Sequence, residues 1–132
     1  MAETGTVVET TTSLGRIKRI ILSWTSHTDG TVSKAVTAYV NGIIRRVVFN
    51  PGATAPTDNY DVTITDADGL DVLSGLGANR HTTTTQQVIP LVAATDGVTT
   101  TAMPVAIDGL LRLEIAAAGS GKVGVITLYI EV

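Results

Sequence analysis

The stretch Val123-Gly-Val-Ile-Thr-Leu-Tyr-Ile-Glu-Val132 alternates from Ile126 onward. Ile126, Leu128, Ile130 and Val132 fall on one side, and Thr127, Tyr129 and Glu131 on the other. A period of two marks a strand with one buried face, because successive side chains point to opposite faces of a sheet. The same pattern recurs upstream. Ile20, Leu22 and Trp24 oppose Ile21, Ser23 and Thr25; Tyr60, Val62 and Ile64 oppose Asp61, Thr63 and Thr65; Leu111, Leu113 and Ile115 oppose Arg112 and Glu114. Thr, Val and Ile, which are stiff at χ1 and suit a pleated surface, make up more than a third of the chain. No long segment repeats at helical spacing.

Turn dipeptides punctuate the runs: Asp29-Gly30, Asn41-Gly42, Asp68-Gly69, Asp96-Gly97 and Asp108-Gly109. Strands are expected over residues 6–12, 16–26, 31–40, 43–49, 60–66, 86–93, 98–107, 110–117 and 123–132, with 70–74 a short strand or turn. Asn41-Gly42 reads as a two-residue hairpin turn. A three-residue loop at Thr28-Asp29-Gly30 would pair Leu22 with Val36 and Ile20 with Ala38, matching apolar to apolar. Two long connections, residues 50–59 and 74–85, are read as sheet-to-sheet crossings and interaction loops. The expected fold is all-β: a two-layer antiparallel β-sandwich, jelly-roll-like, of about eight strands. Residues 1–12 are expected as an extended N-terminal arm and residues 13–132 as a single domain.

The chain has 132 residues, enough for one domain with its own core. Apolar residues supply 44% and charged residues 16%, which excludes intrinsic disorder. The net charge of −3 argues against a nucleic-acid partner. There is no cysteine, so a disulfide scaffold, a thiolate metal site and a thiol nucleophile are excluded. The first residues carry neither a basic segment nor an apolar one, so no secretory signal is expected. No run approaches the roughly 18 apolar residues of a spanning helix, so no membrane partner is expected either.

Chemical motifs are weak. Gly119-Ser-Gly-Lys122 shares only the end of a phosphate-binding loop: Ala116 and Val123 stand where that motif needs Gly and Ser or Thr, and it reads as a β-turn. Asp66, Asp68 and Asp71 crowd one turn, but the twelfth position of a calcium loop would be Gly77. An Asx-rich turn is expected there, with weak cation binding as the alternative. His27 and His81 lie in expected loops without metal-binding spacing. Glu114 and Glu131 are read as parts of exposed sheet faces rather than a hydrolytic pair. No catalytic residue, metal site or cofactor is expected. Arg16, Lys18, Arg19, Arg45 and Arg46 form the main basic cluster, on strands expected to be near neighbours. With only Trp24, Tyr39, Phe49, Tyr60 and Tyr129 as aromatics, it makes a poor nucleic-acid platform.

Ile43 and Val47 alternate against Ile44 and Val48, and Val123 and Val125 against Ile126. Strands that are apolar on both sides are buried on both sides. A single two-layer domain has one interior, so some outer surface is expected to be covered by another subunit or a larger partner.

Pro56-Thr-Asp-Asn-Tyr-Asp-Val-Thr-Ile-Thr-Asp-Ala-Asp-Gly-Leu-Asp-Val-Leu73, followed by Gly75-Leu-Gly-Ala-Asn79 and by Gly124 to Tyr129, resembles small virion proteins of tailed bacteriophages. The likeness covers about half the chain and includes capsid decoration (cement) proteins. It implies a non-enzymatic protein, often a homotrimer, that binds the major capsid protein across capsomers in the virion. Tail, baseplate, connector or fibre parts of a virion, or a glycan-binding β-sandwich module, are the alternatives. Contacts are expected from the arm (Thr6, Val7, Val8), the first long loop (Pro51, Pro56, Asn59) and the second (Asn79, Arg80, His81).

Overall fold

The computed structural model describes residues 3–95 and 100–132. Within them the chain is all-β, without a helix, and every strand pair is antiparallel. Accordingly, no helix among the described residues is long and apolar enough to cross a membrane. The strands are β1 (Thr6–Leu14), β2 (Ile17–Thr25), β3 (Val32–Ala35), β4 (Val40–Pro51), β5 (Asp61–Thr65), β6 (Gln86–Val88), β7 (Leu91–Thr95), β8 (Thr100–Pro104), β9 (Ala106–Gly109), β10 (Arg112–Ala116) and β11 (Val123–Glu131). They exceed the expected number partly because two expected strands are split. The breaks come at Ile89-Pro90 and at Pro104-Val105, where proline has no N–H to continue a ladder.

The large sheet runs β1-β2-β11-β4-β6, with β9 paired to the first part of β4 on the edge that β6 uses further along. A three-stranded sheet runs β3-β10-β5, and β7 and β8 form a separate hairpin. Thr4 bridges Ser33 through two backbone hydrogen bonds of 3.1 and 2.9 Å, so the β1 end of the large sheet curls toward β3. One apolar cluster joins the sheets: Ile20, Leu22, Trp24, Ile44, Val47, Phe49, Ile126, Leu128 and Ile130 from one, and Val32, Val62, Ile64, Leu113 and Ile115 from the other. The alternating sets read from the sequence are thus its buried faces, except for Val132, which is 57% exposed.

Residues 6–12 do not extend as an arm. They are part of β1, paired along its whole length with β2 around the tight turn Gly15-Arg16. Side chains reinforce this. The Glu9 carboxylate accepts the Thr37 and Ala38 N–H groups (2.9–3.2 Å), and Glu3 accepts the Ala35 N–H at 3.0 Å.

Two expected turns are corrected. Thr28-Asp29-Gly30 does not pair β2 with the strand that follows: β1 and β11 occupy both edges of β2, and β3 pairs with β10 instead. Nor does Asn41-Gly42 make a hairpin, because β4 runs straight through it. Gly42 has φ 149°, and a Cβ there would collide with the carbonyl of Glu131 and with Ile130. The glycine serves the close approach of β4 to β11 rather than a turn.

The two-sided apolar reading of residues 43–48 is also corrected. Arg46 pairs with Tyr129 and Ile44 with Ile130, leaving Arg45 as the extra residue of a β-bulge. The bulge moves Ile44 onto the buried side with Val47 and Phe49, while Ile43 and Val48 are half-buried.

Candidate functional site

The expected contact residues fall in two places. Pro56, Asn59, Asn79, Arg80 and His81 come together because the two long loops are stitched to each other. Asn59 N–H donates to the Arg80 carbonyl (3.0 Å), and Arg80 N–H to that of Tyr60 (2.8 Å). Thr82 N–H donates to Asp58 Oδ1 at 3.1 Å, and its hydroxyl to the Pro56 carbonyl. Asn79 N–H donates to Asp61 Oδ1 at 2.9 Å. Pro56 is buried, so within this chain it packs rather than presents a surface. The Arg80 guanidinium lies 5.2 Å from the centre of the Phe49 ring. His81 Nδ1 accepts the N–H groups of Thr83 (3.0 Å) and Thr84 (2.9 Å), which makes the imidazole the organiser of its own loop. Thr6, Val7, Val8 and Pro51 lie elsewhere, at the end of the large sheet where Val7, Trp24, Gly124 and Pro51 form one row.

Backbone groups engage the motif residues. Asp66 Oδ1 accepts from Asp68 and Leu70; Asp71 accepts from Ile64 and Leu73 through Oδ1 and from Gly75 through Oδ2, all at 3.0–3.1 Å. No group of three or more His, Asp or Glu among the described residues is placed to hold a metal ion. The Ser26 hydroxyl pins the Gly119–Lys122 turn: it donates to the Gly119 carbonyl and accepts the Lys122 N–H at 2.8 Å. Glu114 and Glu131 sit in different sheets, beside Arg112 and Arg45 respectively.

Register shows how the outer surface expected to be covered is arranged. On the outer face of the large sheet, residues line up across β1, β2, β11 and β4. The rows are Thr6, Thr25 and Val123; then Val8, Ser23, Val125 and Asn50; then Thr10, Ile21, Thr127 and Val48. None of these eleven residues is charged, and Val8 is 66% exposed. Comparison with protein-family models, curated proteins and solved structures finds no match to this chain. Function has to be read from this surface itself.

The next row is of different chemistry: Thr12, Arg19, Tyr129 and Arg46. Strand β11 separates the two arginines, so the basic residues of β2 and β4 flank a phenol instead of each other. The Arg46 guanidinium stacks 4.3 Å from the centre of the Tyr129 ring. Arg46 and Arg19 together hold the Tyr129 phenol below its ordinary pKa, Arg46 being the larger influence. Arg16 and Arg45 pair with Glu131, whereas neither Arg19 nor Arg46 has a carboxylate partner among the described residues. Arg19 Nε instead donates to Thr12 Oγ1 at 3.4 Å, so its side chain lies between Thr12 of β1 and Tyr129 of β11. Beside it Thr12, Ser13, Leu14, Ile17, Arg19 and Tyr129 line a depression of about 390 Å³, and Leu14 is 85% exposed.

Proposed function

We propose that the chain is a non-enzymatic structural protein of a phage virion, a capsid decoration (cement) protein. It would act as a homotrimer bound to the major capsid protein across capsomers. In this reading the six- and three-stranded sheets are the two layers of a jelly-roll-like β-sandwich. The observation that carries it is the uncharged outer face from Thr6 to Val48. Hydroxyl and short apolar side chains lose water at far lower cost than charges, so such a face suits packing against other protein. The phage-like phrasing of residues 56–79 and 124–129 supplies the virion context. Weak contacts per copy become effective through oligomerisation and many copies on one shell.

The test is the absolute mass of the protein in solution, followed by co-sedimentation with capsid shells. A mass about three times that of the chain, lowered by Ile21→Glu, supports the reading. A hexamer or larger ring would move the assignment to a tail or connector component. A monomer that also fails to bind shells would overturn it.

A further inference from the structure

Strand β1 has a second edge. Around the Gly15-Arg16 turn, Leu14 and Ile17 form the pair that closes a two-residue loop. Pairs bonded to each other in both directions then alternate along an antiparallel ladder. Thr12, Thr10, Val8 and Thr6 therefore bond to β2. The opposite edge of β2 agrees with this phase: Ser26 N–H bonds to the Lys122 carbonyl, and the Arg16 carbonyl accepts the Val132 N–H, both on the β11 side. The N–H and C=O groups of Val7, Glu9, Thr11 and Ser13 consequently point away from the sheet. Among the described residues none of them has a backbone partner.

Such an edge is usually protected by lysine, proline, a bulge or an inward charge. β1 has no lysine, no proline and no bulge. Its single charge, Glu9, points inward, where the Thr37 and Ala38 N–H groups bind it, and is the one such device on this strand.

The arginine row ends at this edge. A strand added beside β1 would place the side chain opposite Thr12 in the row of Arg19, Tyr129 and Arg46, next to the depression at Leu14 and Ile17. A carboxylate there would lie within reach of the Arg19 guanidinium, which is bonded to Thr12 and lacks an acidic partner among the described residues. A second copy of β1 cannot supply that carboxylate. In antiparallel self-pairing with the outer faces on one side, its only acid, Glu9, falls on the inner face.

We infer that the free edge of β1 and the Arg19 guanidinium beside it form one docking site for an extended acidic segment of another protein, bound as an added strand. Backbone bonds to Val7, Glu9, Thr11 and Ser13 would supply affinity, and Arg19 would select the charge. The inference rests on reading the chain as an assembly protein and names the chemistry of one partner.

The probe is an end-blocked peptide of about eight residues alternating threonine with glutamate, a length that spans β1, set against its lysine counterpart. Both are titrated into the full chain and followed by amide shifts. The acidic peptide is expected to shift Val7 to Ser13 and the Arg19 side chain, and to leave Arg46 unshifted. Arg19→Gln should weaken it about tenfold, more at low salt than at high, whereas Arg46→Gln, four strand spacings from the added strand, should change it little. Thr11→Pro removes an edge N–H that makes no internal bond, so the melting temperature should hold while binding is lost.

Equal binding of the lysine peptide, or acidic-peptide binding that survives Thr11→Pro, would overturn the inference. So would a self-association that Thr11→Pro abolishes, because a second copy would then occupy the edge. Peptide failure alongside an intact trimer and intact shell binding would sink this inference alone. Failure of the mass and shell measurements would sink the assembly reading.

Discussion

Gly124 lies directly against the indole of Trp24, its register partner in β2: a Cβ on Gly124 would stand 2.5 Å from the indole Cζ2. The indole is buried, tilted 48° to the Tyr60 ring at 5.7 Å, and its Nε1 has no hydrogen-bond partner. The glycine is thus the space that lets the largest side chain of the core lie flat between β11 and the facing sheet.

Gly124→Ala should therefore destabilise the protein by about 1–3 kcal/mol, the usual cost of overpacking. Trp24→Phe shortens the ring and removes the unpartnered N–H. In the double variant it should recover part of the alanine penalty. Chemical denaturation of the four proteins in this cycle measures the coupling, and simple additivity would mean that the two residues do not share the space.

Ser26 is the only buried polar residue among those described, and all of its hydroxyl's turn contacts are to backbone groups. Ser26→Ala leaves the Lys122 N–H and the Gly119 carbonyl without this partner. A loss of about 1–3 kcal/mol is expected in a urea melt. Ser26→Thr keeps the hydroxyl and should lose less.

Acid should loosen the N-terminal latch. The Ala35 N–H and the nearby Lys34 hold the Glu3 carboxyl below its ordinary range. A lowered folded-state value contributes stability above the unfolded value, and that contribution is lost as pH falls through the lowered one. Hydrogen exchange corrected for its intrinsic pH dependence should show Ala35 losing protection only below the ordinary glutamate range. Glu3→Gln should abolish that pH dependence while keeping a carbonyl acceptor.

Alkali acts on Tyr60 with the opposite sign. Burial pushes its phenol above the ordinary value, so its contribution is complete below the unfolded pKa of about 10 and is lost as pH rises through the folded one. Tyr60→Phe should move the alkaline unfolding midpoint upward. An unchanged midpoint would place the sensitivity elsewhere.

In the second long loop, His81→Ala should expose the Thr83 and Thr84 amides to fast exchange, because their shared acceptor is Nδ1. His81→Asn, which offers a side-chain oxygen at similar reach, should restore part of the protection. Equal exchange in all three proteins would mean that the imidazole does not order the loop.

Local alternation made the buried faces legible in the sequence: Ile20, Leu22 and Trp24, or Leu111, Leu113 and Ile115, need no knowledge of their partners to be read as core. Partner choice was not legible, because it depends on non-local competition. β2 had a good apolar match in the segment after Asp29-Gly30, yet β1 and β11 took its edges. Glycine misled at Asn41-Gly42, where absence of a side chain matters for contact with Glu131 and Ile130 rather than for a turn. The basic cluster was visible as charge. Its organisation around Tyr129 was hidden, since β11 comes from far along the chain to lie between β2 and β4. The bulge at Arg45 left no local mark, so Ile43 and Ile44 exchanged faces between expectation and fold.

The same placement of β11 bears on the birth of the protein. Its nine residues are the keel of the large sheet, with β2 on one flank and β4 on the other. Until the ribosome has delivered residues 123–131, the nascent chain carries two long strands whose inner edges face an empty slot. Topologies that wait on such distant pairing fold slowly and leave sticky edges open meanwhile. A stalled or truncated product ending before Val123 is therefore expected to be trapped by chaperones or to aggregate, while the β1–β2 hairpin upstream is already complete.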